Sequence, residues 1–256
     1  MQIALLQTDP QGKDVKTNIA RAESLMQQTP EADLYVLPEM WATGFLTDPA
    51  PSVHEQSMRA LAWMQQTALD CDHAVAGSLA VMDEADSSVK PSIRRWRNRF
   101  FFVHPDGHMD HYDKRHLFAP GLEDIRFNPG QERVVVGYRG ARILLQTCFD
   151  LRFPETSRNS APEAYDLALY TASWPEVRQR AWDVLLPARA VENQAFVVGV
   201  NRVGHDGRQH YAGGSAAYDA QGHPLCPPLA EIETSTTVSI NLQELHDWRK
   251  QFPVLP

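Results

Sequence analysis

Short apolar runs rich in β-branched and aromatic residues punctuate the chain at 3–6, 34–37, 74–81, 100–103, 134–136, 143–145, 167–170, 196–200 and 238–240. Turn-forming residues bound each run, so each predicts a strand. Helical spacing fills several of the intervals. Asp14 stands as an N-cap ahead of Val15, Ile19, Ala22 and Met26, which share one face. A second stripe is formed by Met58, Leu61, Ala62 and Leu69, with Gln65 as its polar interruption. A third helix is expected over 176–191, kinked or divided at Pro187, whose ring removes one amide donor and clashes one turn back. Strand and helix alternate early, and hairpin-like strands follow, with Tyr218-Asp219-Ala220-Gln221-Gly222 as a turn. This order predicts an α/β or α+β layered architecture with helices covering sheets. The charged, Ser-containing stretch 83–88 reads as a solvated turn.

Composition narrows the class. A chain of 256 residues, 43% hydrophobic and 22% charged, is an ordinary globular protein long enough to bury a substantial core. It shows no Ser/Gly/Pro linker, composition shift or fixed-period repeat, so a single domain over 1–256 is expected. A net charge of −8 lacks the basic footprint of a nucleic-acid binder, and no stretch has the apolar length of a membrane span. The start, MQIALLQTDPQG, lacks a basic region followed by a long apolar run, so no signal peptide is expected. Cys71, Cys148 and Cys226 are odd in number, widely spaced and without a CxxC pair. That argues against a disulfide framework and a zinc site, and a reducing cytoplasm is the expected location.

Cys148 follows the apolar run 143–145 in Gln146-Thr147-Cys148-Phe149-Asp150-Leu151-Arg152-Phe153-Pro154-Glu155. That places a thiol where a buried strand gives way to a charged turn, the position at which α/β proteins gather active-site groups. A buried core cysteine is the plainer reading of any single thiol. A nucleophilic thiol needs a base or a cation nearby. Glu39, closing the strand-like segment LYVLPEMW, and Lys114, in YDKRHLF, supply one of each. On these terms a reactive, low-pKa Cys148 should be alkylated well before Cys71 and Cys226.

LPEMWATGF, YDKRHLF and QTCFDLRFPE, in this order, resemble the three signature regions of the nitrilase (carbon-nitrogen hydrolase) superfamily. Asn98-Arg99-Phe100, Ser173-Trp174-Pro175 and Ala188-Arg189-Ala190-Val191-Glu192-Asn193-Gln194 extend the similarity nearly to the C-terminus. The resemblance implies a four-layer αββα sandwich, with Glu39 as general base, Lys114 as oxyanion partner and Cys148 as nucleophile. The family's second glutamate falls on Glu123. It further implies attack of the thiol on an amide carbonyl, an oxyanion met by Lys114 and the Phe149 amide, a thioester intermediate, no cofactor, and a homodimer. CFDLRFPE resembles the amidase branches, and the signature segments together look most like bacterial ω-amidases, which act on 2-oxoglutaramate and 2-oxosuccinamate.

A substrate carrying its own carboxylate calls for an arginine, and Arg178 and Arg180 are candidates. Phe45 and Trp174 flank signature residues and are candidate pocket walls. His104, His108, His111 and His116 straddle a His-Pro-Asp-Gly turn, cannot share one helical face and match no zinc motif, so no metal is expected. The competing readings are a Cys-His hydrolase using one of those histidines, N-carbamoyl or aliphatic amide substrates, and a catalytically silent binding protein of the same fold.

Overall fold

Alternate residues of the apolar runs face two different cores, which is why the runs show so little polar alternation. In the computed structural model, which describes residues 1–12, 14–82, 96–207 and 209–256, the strands are β1 (Gln2–Gln7), β2 (Leu34–Val36), β3 (Ala74–Met82), β4 (Trp96–Val103), β5 (Met109–Asp113), β6 (Val135–Tyr138), β7 (Ala141–Thr147), β8 (Leu167–Ala172), β9 (Phe196–Asn201), β10 (Val203–His205), β11 (His210–Ala212), β12 (Ala216–Tyr218) and β13 (Thr234–Ser239). The helices are α1 (Val15–Gln27), α2 (Ser52–Cys71), α3 (Glu123–Arg126), α4 (Pro154–Ser157), α5 (Gln179–Asn193) and α6 (Leu242–Gln251). The stretch 83–88 lies outside the described residues.

One six-stranded sheet has the order β13-β1-β2-β3-β4-β5, and a five-stranded sheet has the order β12-β9-β8-β7-β6. Both have parallel centres, β1-β2-β3 and β7-β8-β9, flanked by antiparallel strands. Ile3 and Leu5 of β1, Phe100 and Phe102 of β4, and Ile143 and Leu145 of β7 meet in the core between the sheets. Ala4 and Leu6 face the opposite way, onto Ala22, Leu25 and Met26 of α1 and Met64 of α2. On the other side, Leu144 and Ala168 pack against Trp182, Leu186 and Ala190 of α5. The result is an αββα sandwich, as expected. Each large side chain sealed between the layers contributes about 1.5–3 kcal/mol of burial.

Three expectations are corrected. The buried face of α2 is Val53, Ser57, Ala60, Leu61, Met64 and Ala68, whereas Ala62 and Leu69 are exposed. Small side chains give little hydrophobic signal but let a helix approach a sheet closely. The third helix begins as a 3₁₀ turn, Glu176–Arg178, and α5 then runs through Pro187 undivided. The carbonyl deprived of its donor belongs to Asp183, an exposed residue that water can satisfy. β5, β10, β11 and β12 carry no long apolar run and were not among the predicted strands. The Asp14 cap, whose carboxylate accepts from the Thr17 amide, and the turn at 219–222 are as expected.

Direction in the sheets positions the chemistry. β5 is antiparallel to β4, which is antiparallel to β3, so β2, β3 and β5 all end at the same edge. Glu39 follows β2 and Lys114 follows β5. Cys148 follows β7 and Ser173 follows β8, two parallel neighbours of the second sheet. Outward turns at the carboxyl ends of parallel strands leave such a cleft.

Candidate active site

Local structure fixes each of these residues before any contact between them is made. The 37–46 loop folds back onto β3 because Gly77 has no side chain: a Cβ there would lie 2.9 Å from Leu37 and 3.0 Å from Trp41. The Met40 amide, at φ +46°, donates to Ser78 Oγ at 3.0 Å, and Asn18 of α1 donates to the Ala42 carbonyl at 2.8 Å. The Lys114 amide donates to the Asn98 carbonyl at 3.0 Å, carrying the β4-β5 ladder one residue further. Cys148 has φ +47°, an uncommon conformation for a residue with a side chain. It opens the 3₁₀ turn Cys148–Arg152, where the first amides, Phe149 among them, have no acceptor within the turn.

These loops converge on a buried charge cluster. Lys114 Nζ donates to Glu39 Oε1 and to Glu123 Oε2, both at 2.8 Å. All three side chains are fully buried. Asn98 Nδ2 donates to Glu39 Oε1 at 2.7 Å and Glu123 Oε1 at 3.0 Å, while its Oδ1 accepts from Ser78 Oγ at 2.9 Å. The Ser173 amide donates to Glu39 Oε2 at 2.9 Å, and the Phe118 amide to Glu123 Oε2 at 2.7 Å. Burial alone would strip the proton from Lys114, but the charges of Glu123 and Glu39 outweigh it and hold the ammonium well above its ordinary pKa. Burial pushes Glu123 upward, and Lys114 offsets only part of that.

The cysteine departs from expectation. Burial pushes its thiol well above the usual value, the Glu39 charge and a hydrogen bond to Glu39 add to the rise, and Lys114 opposes it. Cys148 therefore rests as a neutral thiol beside a carboxylate, not as a low-pKa thiolate. Cys71, by contrast, is exposed. Such an arrangement favours transfer of the proton during attack over a standing thiolate.

Two further buried residues brace the site. Asp150, fully buried, accepts from the Tyr112 hydroxyl at 2.8 Å, the Thr147 amide at 2.9 Å, the His116 amide at 2.9 Å and His116 Nδ1 at 3.0 Å. It thereby ties the loop carrying Lys114 to the turn carrying Cys148. Asn201 accepts from the Trp174 amide at 2.8 Å and donates to the carbonyls of Trp174 and Gly213 at 2.9 and 2.7 Å. Together with Asn98, these are site residues that sequence reasoning did not assign. The available signal was a short polar side chain inside or closing a buried run, which must have partners to be tolerated there.

A cavity of about 510 Å³ opens onto Cys148, Lys114 and Ser173, within the range of small-molecule sites. Phe45, Phe149 and Trp174 all line it, as do Phe118, Arg152 and Arg178. Lys114 Nζ lies 5.6 Å from the centre of the Phe45 ring. Arg180 is exposed and does not line the cavity, so of the two arginine candidates only Arg178 is placed to meet substrate. No histidine among the described residues lines it either. His116 is held by Asp150 and stacks on Phe153 at 3.7 Å, which leaves a Cys-His pair without its histidine. The β4-β5 hairpin does bring His104, His108 and Asp110 together, with His104 Nε2 and Asp110 Oδ2 at 2.8 Å, an approach that helical spacing could not foresee. Among the described residues no helix is long and apolar enough to cross a membrane.

Known proteins with this architecture agree with the geometry. The carbon-nitrogen hydrolase family model matches residues 2–250. Omega-amidase YafV of Escherichia coli (strain K12) is 39% identical over 254 residues, spanning 99% of this chain and 94% of that protein. The 2-oxoglutaramate amidase of Bacillus subtilis (strain 168) is 32% identical over 256 residues, spanning 98% and 95%. A CN-hydrolase superfamily protein from Xanthomonas campestris, whose crystal structure has an arsenic adduct in the active site, superposes with a TM-score of 0.87 at 36% identity, covering 99% and 95% of the two chains. With the family match running almost end to end, a thiol and an ammonium at the cavity and two buried carboxylates on that ammonium, the chain belongs to the carbon-nitrogen hydrolase family and is an amidase.

Proposed function

We propose that this amidase hydrolyses the terminal amide of 2-oxo acid amides such as 2-oxoglutaramate and 2-oxosuccinamate, giving the 2-oxo dicarboxylate and ammonia through a thioester on Cys148. The observation that carries the reading is the Cys148 thiol at a cavity floor, close enough to Glu39 and to the Lys114 ammonium for both charges to act on it. Glu39 takes the thiol proton as sulfur attacks the amide carbon. The Lys114 ammonium and the Phe149 amide meet the resulting oxyanion. Collapse breaks the carbon–nitrogen bond, and Glu39 returns the proton to the departing ammonia. Water, deprotonated by the same carboxylate, then cleaves the thioester and restores the thiol. Glu123 holds Lys114 in place throughout. The cycle as written needs no metal or organic cofactor.

The name of the relative at 39% identity supports an omega-amide as substrate, and that of the relative at 32% identity supports the 2-oxo acid amide. Ammonia release from 2-oxoglutaramate, set beside glutamine, asparagine, an aliphatic amide and an N-carbamoyl amino acid, tests it. Selective turnover of the 2-oxo acid amide is expected. Equal or faster turnover of the aliphatic or N-carbamoyl compound overturns the substrate and leaves the amide chemistry standing. We further propose a cytoplasmic homodimer. Val184 and Val191, two helical turns apart on α5, are exposed, as is Val177 just ahead of it, and a second copy would cover this stripe. Light scattering at a monomer mass would remove the dimer.

A further inference from the structure

Two guanidinium groups line the cavity and, among the described residues, have no carboxylate of their own. Arg178 lies over the Phe118 ring, 4.8 Å from its centre, and Arg152 lies over the Trp174 ring at 5.1 Å. Both line the cavity, and among the described residues neither has an acidic partner at ion-pair distance. The other charges around the cavity are engaged. Lys114 is held between Glu39 and Glu123, Asp48 pairs with Arg126 at 2.8 Å, and Asp206 accepts from the Tyr211 hydroxyl and the Gln209 amide.

An aromatic face positions a guanidinium plane without consuming its N–H donors, so both forks stay open on the cavity side of an apolar shelf. Free arginines in such a place suit a planar anion met by two parallel hydrogen bonds. From this geometry we propose that Arg178, with Arg152 as its companion, binds a carboxylate on the substrate remote from the amide under attack. The pair selects ω-monoamides of dicarboxylic acids over neutral amides and aims their carbonyl at Cys148. The inference rests on the amidase reading above and adds the group that sets specificity within it.

The test compares substrates that differ in the carboxylate alone. Wild type, Arg178→Met, Arg178→Lys and Arg152→Met are assayed with glutaramate, pentanamide and 2-oxoglutaramate, and thermal melts check that each variant is folded. Wild type should prefer glutaramate to pentanamide. Arg178→Met should lower kcat/KM for both anionic amides roughly 10- to 100-fold, mainly through KM, as expected for a lost charge-assisted contact. The ratio of glutaramate to pentanamide turnover should fall by a similar factor, and Arg178→Lys should recover part of it. A wild type that prefers pentanamide, an unchanged ratio in both methionine variants, or an equal loss on charged and neutral amides overturns the proposal. Poor turnover of 2-oxoglutaramate beside efficient, Arg178-dependent turnover of glutaramate would sink the 2-oxo specificity and leave the carboxylate clamp in place.

Discussion

Replacing Asp150 with asparagine tests whether one carboxylate keeps the Lys114 loop and the Cys148 turn in register. Asp150 offers acceptors only, and all four of its bonds come from donors: Tyr112 Oη and the Thr147 amide on Oδ2, the His116 amide and His116 Nδ1 on Oδ1. An asparagine of the same shape must turn its NH₂ toward one pair or the other. Either way it confronts a backbone N–H that cannot become an acceptor. Leaving such a donor unsatisfied costs about 1–3 kcal/mol, and the bonds that survive lose charge assistance worth about another 1 kcal/mol. The sum, about 2–4 kcal/mol, lowers Tm by about 5–15 °C for a chain of this size. The strain falls on the two segments that place ammonium and thiol, so kcat/KM should drop as well, by about 10- to 100-fold. Calorimetry and steady-state ammonia release on Asp150→Asn measure both, with the half-exposed α6 substitution Asp247→Asn, far from the site, as a control expected to change neither by a comparable amount. An Asp150→Asn protein with wild-type Tm and wild-type kcat/KM would refute the reasoning.

Other outcomes follow from the same geometry. Lys114→Met removes the ammonium from two buried carboxylates and from the oxyanion, so kcat should fall about 10²- to 10³-fold in a protein that also melts earlier; a kcat near wild type would remove Lys114 from the chemistry. Because Cys148 is a buried neutral thiol and Cys71 is exposed, a bulky maleimide should label Cys71 first, whereas acrylamide should reach Cys148 at a rate that drops in Glu39→Gln. Peptide mapping decides, and a Cys148 rate indifferent to Glu39 would count against the base. Folding raises the pKa of Cys148 above 9.0, of Tyr112 and Tyr165 above 10.0, and of Lys114 above 10.5. The stability these groups contribute is complete below those ordinary values and is lost as the unfolded chain sheds protons above them. Urea midpoints should therefore hold steady to about pH 8.5 and decline from about pH 9 upward; a midpoint rising at about pH 10 would reverse the sign.

What could be read from the chain alone divides along physical lines. Glu39 and Cys148 are legible because each closes an apolar run, and local sequence marks such strand ends well, whereas Lys114 follows a strand that the pattern does not show and is found through the resemblance of YDKRHLF to a family signature. Glu123 is less so, since its partner Lys114 is set by folding of the 115–122 loop and not by any spacing. The αββα layering is foreshadowed by runs too apolar for a one-sided sheet. The α2 face is not, because Ser57, Ala60 and Ala68 are buried for their smallness. β5, reading Met-Asp-His-Tyr-Asp, hides as a strand because it lies at a sheet edge with most side chains partly in solvent. The protonation of Cys148 is invisible in sequence, since it depends on burial and on a carboxylate 109 positions away in the chain (148 − 39). The choice between Arg178 and Arg180 turns on where a 3₁₀ turn passes into α5, a phase that residue pattern does not set.

The central claim is that Cys148 carries the acyl group of the substrate while ammonia leaves. Wild type and Cys148→Ala are mixed with 2-oxoglutaramate, quenched in acid on the millisecond scale, and measured for released ammonia and for protein mass with peptide mapping. The account predicts an acyl adduct confined to the Cys148 peptide, accompanied by ammonia release, and neither in Cys148→Ala. Ammonia release that persists in Cys148→Ala, or an acyl group carried by any other residue, would contradict it.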